Sequence, residues 1–189
     1  YDASNDLKNN QNEFIEKWGI DPIPNEPTPL GDGSGAERAF SLRNYGLKTW
    51  GELFNDRQKN SLIVLINLLH EMNSQFTSIK IETKYKDVII KYLGNFISKG
   101  LATNNSNCRW NSNSESIAGK PDQFGTMQMQ WIYPEAFPFS GVTGSFYNHY
   151  NDLLSVLKNL YLNNPLVKVS QNSATSLEFE DGTLDATFT

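Results

Sequence analysis

Between residues 21 and 35 the chain carries Pro22, Pro24, Pro27 and Pro29, then Gly31, Gly33 and Gly35. Each proline fixes φ and removes an amide donor, so neither a helix nor an inner strand can persist there. The stretch is therefore an extended linker or a strap over the surface. It separates a short amphipathic helix expected at 12–18, with Phe14, Ile15 and Trp18 on one side, from everything downstream.

Downstream the period is helical. Asn55 can cap a helix over 56–72, because its side-chain oxygen can accept a free amide of the first turn. The apolar positions Leu62, Leu65, Ile66, Leu68 and Leu69 spread over more than one stripe, which places that helix at the centre of the core. A second long helix is expected over 84–99, with Val88, Ile89, Tyr92, Leu93, Phe96 and Ile97 in register and Gly100 as its stop. Residues 104–116 read as a polar Asn/Ser loop interrupted by Cys108, Arg109 and Trp110, and 119–140 as irregular but aromatic. A third helix is expected over 148–162, with Leu153, Leu154, Leu157 and Leu160 as its core face. The period then changes: 166–170 and 184–189 read as strands, with a tight turn at Glu180-Asp181-Gly182 before the second.

A chain of 189 residues with 38% hydrophobic and 20% charged residues can bury one sizeable core. Its single cysteine excludes an internal disulfide framework and any zinc site built on three or four cysteines. There is no apolar run of about eighteen residues, so no membrane span is expected. The polar start lacks a signal-peptide core, and Tyr1 in place of Met suggests a segment of a longer, cytoplasmic polypeptide. The net charge of −5 is uneven: residues 1–56 carry −5, 57–120 carry +5, 121–170 carry −1 and the last nineteen carry −4. A basic middle between acidic ends permits nucleic-acid contact without demanding it.

Local chemistry does not complete an active site. His70 and His149 lie on separate expected helices without metal spacing. Cys108 sits beside Arg109, which could lower a thiol pKa, but no base is assigned to it. The Gly31-Asp32-Gly33-Ser34-Gly35 run follows no strand and opens no helix, so it is not a phosphate loop. No catalytic residue and no metal ligand is assigned.

Several stretches together carry more. Ile23-Pro24-Asn25-Glu26-Pro27, Tyr45-Gly46, Trp50-Gly51-Glu52-Leu53-Phe54, Arg57-Gln58, Asn107-Cys108-Arg109-Trp110, Trp131, Glu135 and Pro138-Phe139-Ser140 occur in this order. Asn172-Ser173-Ala174-Thr175-Ser176-Leu177 and the ending Asp181-Gly182-Thr183-Leu184-Asp185-Ala186-Thr187-Phe188-Thr189 complete the series. The chain thereby resembles, from about residue 20 onward, an internal segment of the adenine-specific DNA methylases that contain a zinc ribbon. In those enzymes the last piece leads into Asp-Pro-Pro-Tyr, which holds the target amino group while its ring stacks on the flipped base. This sequence stops where that tetrapeptide would begin, and two positions depart from the pattern: Asn172 replaces a Gly and Phe137 an Asn.

The resemblance implies an α+β, mostly helical chain. Its parts would be an N-terminal helix and strap (1–35), a helical insert (36–164), and the C-terminal strands (165–189) of an incomplete Rossmann-like methyltransferase sheet. It implies S-adenosylmethionine as cofactor of the whole enzyme, with none tightly bound by this chain, and DNA and the remaining methyltransferase polypeptide as partners. Ser173 then lies near the cofactor's adenine ring, or is simply a turn residue at a strand end. Arg109 and Trp110 would then contact DNA or the target-base pocket, Arg109 by pairing a phosphate or a base edge and Trp110 by stacking. The structural alternative, favoured by how often Trp is buried, puts Trp110 in the core and Arg109 at a helix end. Lys84 and Lys91 supply phosphate contacts or form an ordinary solvated face, while Tyr45, Trp50 and Phe54 are packing anchors. Two functions remain: part of a DNA methyltransferase that positions DNA, or a non-catalytic helical interaction module.

Overall fold

The structure is a computed structural model that describes residues 2–30, 40–76, 78–79, 82–119, 127, 129–160, 179–180 and 183. These form four α-helices, α1 (Ala3–Trp18), α2 (Asp56–Gln75), α3 (Thr83–Thr103) and α4 (Phe146–Leu160), and one antiparallel hairpin, β1 (Arg109–Asn111) and β2 (Ser116–Ala118). The chain divides into two compact units, Tyr1–Ser155 and Val156–Thr189. The first takes in the expected 1–35 segment and most of the expected insert.

α1 starts nine residues before the expected helix. Asp2 caps it by accepting the Asn5 amide at 3.2 Å, and Gly19 closes it by donating to the Ile15 carbonyl at 2.8 Å. The first turns are polar and bury only Leu7, so periodicity alone gives no sign of them. Their order comes from packing on α2, where Leu7, Phe14 and Ile63 form a buried cluster flanked by Trp18, Ile23 and Ile66. The cross-links run in step: Ser4 with Asp56, Asn10 with Asn60 at 2.6 Å, Trp18 with Asn67 at 2.8 Å, and Lys17 with Glu71. Numbers rise together along both helices, so α1 and α2 lie parallel.

Two parallel neighbours require the connecting chain to run back along their length, and the proline-rich strap does so. Its bonds fall where prolines permit them. The Pro24 and Glu26 carbonyls accept the Gly51 and Trp50 amides at 3.0 and 3.1 Å, and the Thr28 amide donates to Lys48 at 2.9 Å. No proline is asked to donate. A side chain at Gly51 would place its Cβ 2.6 Å from the Pro24 oxygen, so only glycine lets the strap approach this closely. Beside it lie the 3₁₀ turns Leu42–Tyr45 and Trp50–Leu53, which help bury Leu42, Leu53 and Met127.

α2 is central, as its composition predicts: Leu62 packs with Ile97 of α3 and Phe146 of α4 in a third cluster. Asn55 caps it by accepting the Gln58 amide at 3.0 Å, and Gln58 returns the bond by accepting the Asn55 amide at 3.0 Å. α3 does not stop at Gly100. That residue is buried inside the helix, and a Cβ there would lie 1.9 Å from the Phe146 ring. The glycine makes room for an aromatic neighbour instead of ending the helix.

The expected polar loop at 104–116 is a second correction. Asn104, Asn105, Asn107 and Cys108 are buried, and the hairpin follows them. Asn105 explains the burial: its amide nitrogen donates to the Leu101 and Ala102 carbonyls at 2.7 and 3.1 Å, and its oxygen accepts the Asn107 amide at 2.8 Å. It thus satisfies helix-end carbonyls that would otherwise need water. Cys108 is fully buried with its sulfur 3.4 Å from the Ala102 carbonyl, which removes the exposed thiolate that the neighbouring Arg109 suggested.

α4 starts two residues ahead of expectation, its expected last two residues lie outside the described ones, and its buried residues are Phe146 and His149. In the second unit, Thr183 bonds the Glu180 carbonyl through its amide at 3.3 Å and its hydroxyl at 2.7 Å, closing a turn where one is expected. The expected strands at 166–170 and 184–189, and with them the Rossmann-like sheet, lie outside the described residues.

Candidate functional site

One groove gathers residues from three distant parts of the first unit. It has a volume of about 430 Å³ and is lined by the start of α2 (Arg57, Gln58, Ser61), by Asn104 just beyond α3, and by residues 135–139. Asn55 joins the first and last of these. While its oxygen caps α2, its amide nitrogen donates to the Tyr133 hydroxyl at 3.1 Å and to the Glu135 carboxylate. Arg57 then grips Glu135 with two parallel bonds, each 3.0 Å. A guanidinium–carboxylate fork of this kind fixes geometry as well as charge.

The aromatic wall is held from behind. Ser140 donates to the Phe137 carbonyl through its amide at 3.0 Å and its hydroxyl at 2.8 Å, while the Tyr147 amide binds the Pro138 carbonyl at 3.0 Å. That fixed turn presents the Phe137 and Phe139 rings edge to face, 6.0 Å apart, with 69% and 66% of their surface exposed. The opposite wall is polar and buried. Gln58 is 3% and Asn104 8% exposed, yet neither amide nitrogen, itself closed to water, has a hydrogen-bond partner among the described residues. The Gln58 orientation is fixed because its oxygen is committed to the Asn55 amide; flipping the group would break the cap. Each unmet donor costs about 1–3 kcal/mol unless something completes it.

Next to Asn104, the Thr103 hydroxyl lies 2.9 Å from the Gly144 carbonyl and 2.8 Å from His149 Nε2. Burial, aided by Lys99 and opposed by Asp152, lowers the His149 pKa below 6.5. This trio ties α3 to the turn before α4, so it supports the groove without lining it.

The residues expected to meet DNA are dispersed. Arg109 and Trp110 are both exposed on β1, Trp110 by 52%, so Trp110 does not plug the core. Lys84 and Lys91 are exposed on α3, two turns apart. Lys84 is in the first turn, about 28 Å along the axis from the end that leads to Arg109. Ser173 lies outside the described residues. Tyr45, expected as a packing anchor, is 54% exposed and sits edge-on to Trp131 at 5.1 Å, while Trp50 and Phe54 do pack inward.

What sequence reasoning missed is Asn104 and the buried role of Gln58. Both belong to polar stretches whose composition signals solvent, and only the cap geometry around Asn55 and Asn105 reveals their burial. Among the described residues no cluster of three or more His, Cys, Asp or Glu could hold a metal ion, and no helix is long and apolar enough to cross a membrane. Compared with protein-family models, curated proteins and solved structures, the chain matches none.

Proposed function

We propose that this chain is an internal segment of an S-adenosylmethionine-dependent, adenine-type DNA methyltransferase, in which it helps to position DNA. One observation carries the reading. Arg57, Gln58, Glu135, Pro138 and Phe139, which belong to separate stretches of the methylase resemblance, line a single groove. Stretches that merely packed a core would have no reason to converge on an open, half-polar cleft. The groove's fixed fork and exposed rings suit the holding of a strand better than bond-making, since no side chain there is paired as nucleophile and base. S-adenosylmethionine would be held elsewhere in the whole enzyme, and Arg109 and Trp110 would supply a separate phosphate and stacking contact.

The test is methyl transfer from labelled S-adenosylmethionine to adenine in DNA by the polypeptide that carries this segment. The reading expects transfer by that polypeptide and none by the chain alone, together with no tight cofactor binding by the chain. Calorimetry showing low-micromolar S-adenosylmethionine affinity for the isolated chain would contradict it. Arg109→Ala should weaken DNA binding by the whole enzyme and leave both cofactor affinity and melting temperature unchanged, because the side chain is exposed.

A second reading, a helical interaction module without chemistry of its own, has its own support. Trp131 and Ile132 are adjacent, 74% and 87% exposed, and close to the exposed Tyr45 ring. Loss of partner capture on Trp131→Ala, with methyl transfer absent from the whole polypeptide, would favour it.

A further inference from the structure

We propose that a cleft beneath the proline-rich strap binds a small amphipathic cation, its apolar body inside and its ammonium at the rim formed by Asp21 and Glu26. The cleft has a volume of about 490 Å³ and shares no lining residue with the groove at Arg57. It lies where the three apolar clusters meet. Ile23 of the strap, Trp50 and Phe54 beside it, and Leu62, Ile63 and Ile66 of α2 line it. Apolar walls around a space of this size suit a small organic molecule, which displaces water that such walls hold poorly.

The strap is held in place before anything binds. The Gly51 and Trp50 amides donate to the Pro24 and Glu26 carbonyls at 3.0 and 3.1 Å. Asp21 Oδ1 accepts the Ile23 amide and the Gln11 side chain, each at 2.9 Å. A wall already fixed loses little freedom when it is covered. Charge then selects the occupant. The charged lining residues are Asp21, Glu26 and Lys59. Lys59 is offset by Asp56, whose Oδ1 lies 3.9 Å from its Nζ. Asp21 and Glu26 are exposed, and neither has a cationic partner among the described residues. An anion would have to pass both carboxylates, whereas an ammonium is attracted by them.

The experiment is calorimetry of the chain with decylammonium, decanol and decanoate, three probes of one apolar length, each below its micelle-forming concentration. The ammonium should bind one to one and most tightly, and the carboxylate least. Glu26→Gln, at an exposed position whose backbone bond to Trp50 is untouched, should weaken the ammonium about threefold and leave the alcohol unchanged. Leu101→Trp narrows the cleft from the α3 side, at a residue 36% exposed, and should weaken the ammonium at least about tenfold with the melting temperature kept. Several ammonium ions per chain, indifferent to both variants, are adsorption to an acidic protein and overturn the site. Tightest binding by decanoate overturns the cation in favour of an anion held by Lys59. Equal affinity for ammonium and alcohol, or no binding of any probe, overturns the proposal as well.

Discussion

Asn55 serves two elements with one side chain, its oxygen ending α2 and its nitrogen holding Tyr133 and Glu135. Replacing it by alanine removes a helix cap, typically about 1 kcal/mol, and releases the segment that carries the aromatic wall. Asn55→Ala should therefore destabilise the chain by about 1–2 kcal/mol in urea unfolding. It should also weaken binding at the groove; unchanged binding would show that Arg57 alone holds Glu135. His149 gives a pH dependence of known sign. Its folded pKa is lowered, with burial the largest cause, so the unfolded chain takes up the proton first. The contribution is intact above pH 6.5 and is lost as pH falls from there through the lowered folded value. Melting temperature should drop across that window in the native chain and flatten in His149→Gln; identical profiles would exclude this residue as the cause.

At the scale of elements, Gly100 and Gly94 lie on the same helix with opposite surroundings. A methyl group at Gly100 meets the Phe146 ring, whereas one at Gly94 meets nothing within 4 Å. Gly100→Ala should cost about 1–3 kcal/mol by overpacking, and Gly94→Ala should stabilise by up to about 1 kcal/mol through helix propensity. Thermal melts of both variants check the pair, and equal shifts would refute the α3–α4 contact. The same two glycines show what was legible in the sequence. The apolar period of α2 and α3 is visible in Leu62, Ile97 and their neighbours, and the caps at Asn55 and the strap's prolines state their local geometry outright. Whether Gly100 ends a helix or seats a ring depends on Phe146, forty-six residues away, and nothing local distinguishes the two. The first turns of α1 and the three-residue strands of the hairpin were hidden for a related reason: too few apolar positions recur in them to show a period. The groove was half legible. Its Arg57, Glu135 and Phe139 stood in recognisable stretches, while Asn104 looked like solvent-facing loop.

Over the whole molecule, charge should govern any encounter with DNA. The +5 middle attracts a polyanion and the −5 and −4 ends oppose it, so the chain should bind no tighter than about 10⁻⁵ M near physiological salt. Affinity should fall as salt rises, with a slope set by the phosphates neutralised; a salt-independent Kd would remove electrostatics from the account. The parallel pairing of α1 with α2 has a consequence of another kind. Partners such as Asn10 and Asn60 are fifty residues apart in sequence, so the first helix leaves the ribosome well before the surface it needs. At roughly 5–20 residues per second, Phe14 and Trp18 wait on the order of seconds without α2. During synthesis this helical chain therefore behaves like a β-protein, with an early apolar segment left uncovered until distant chain arrives.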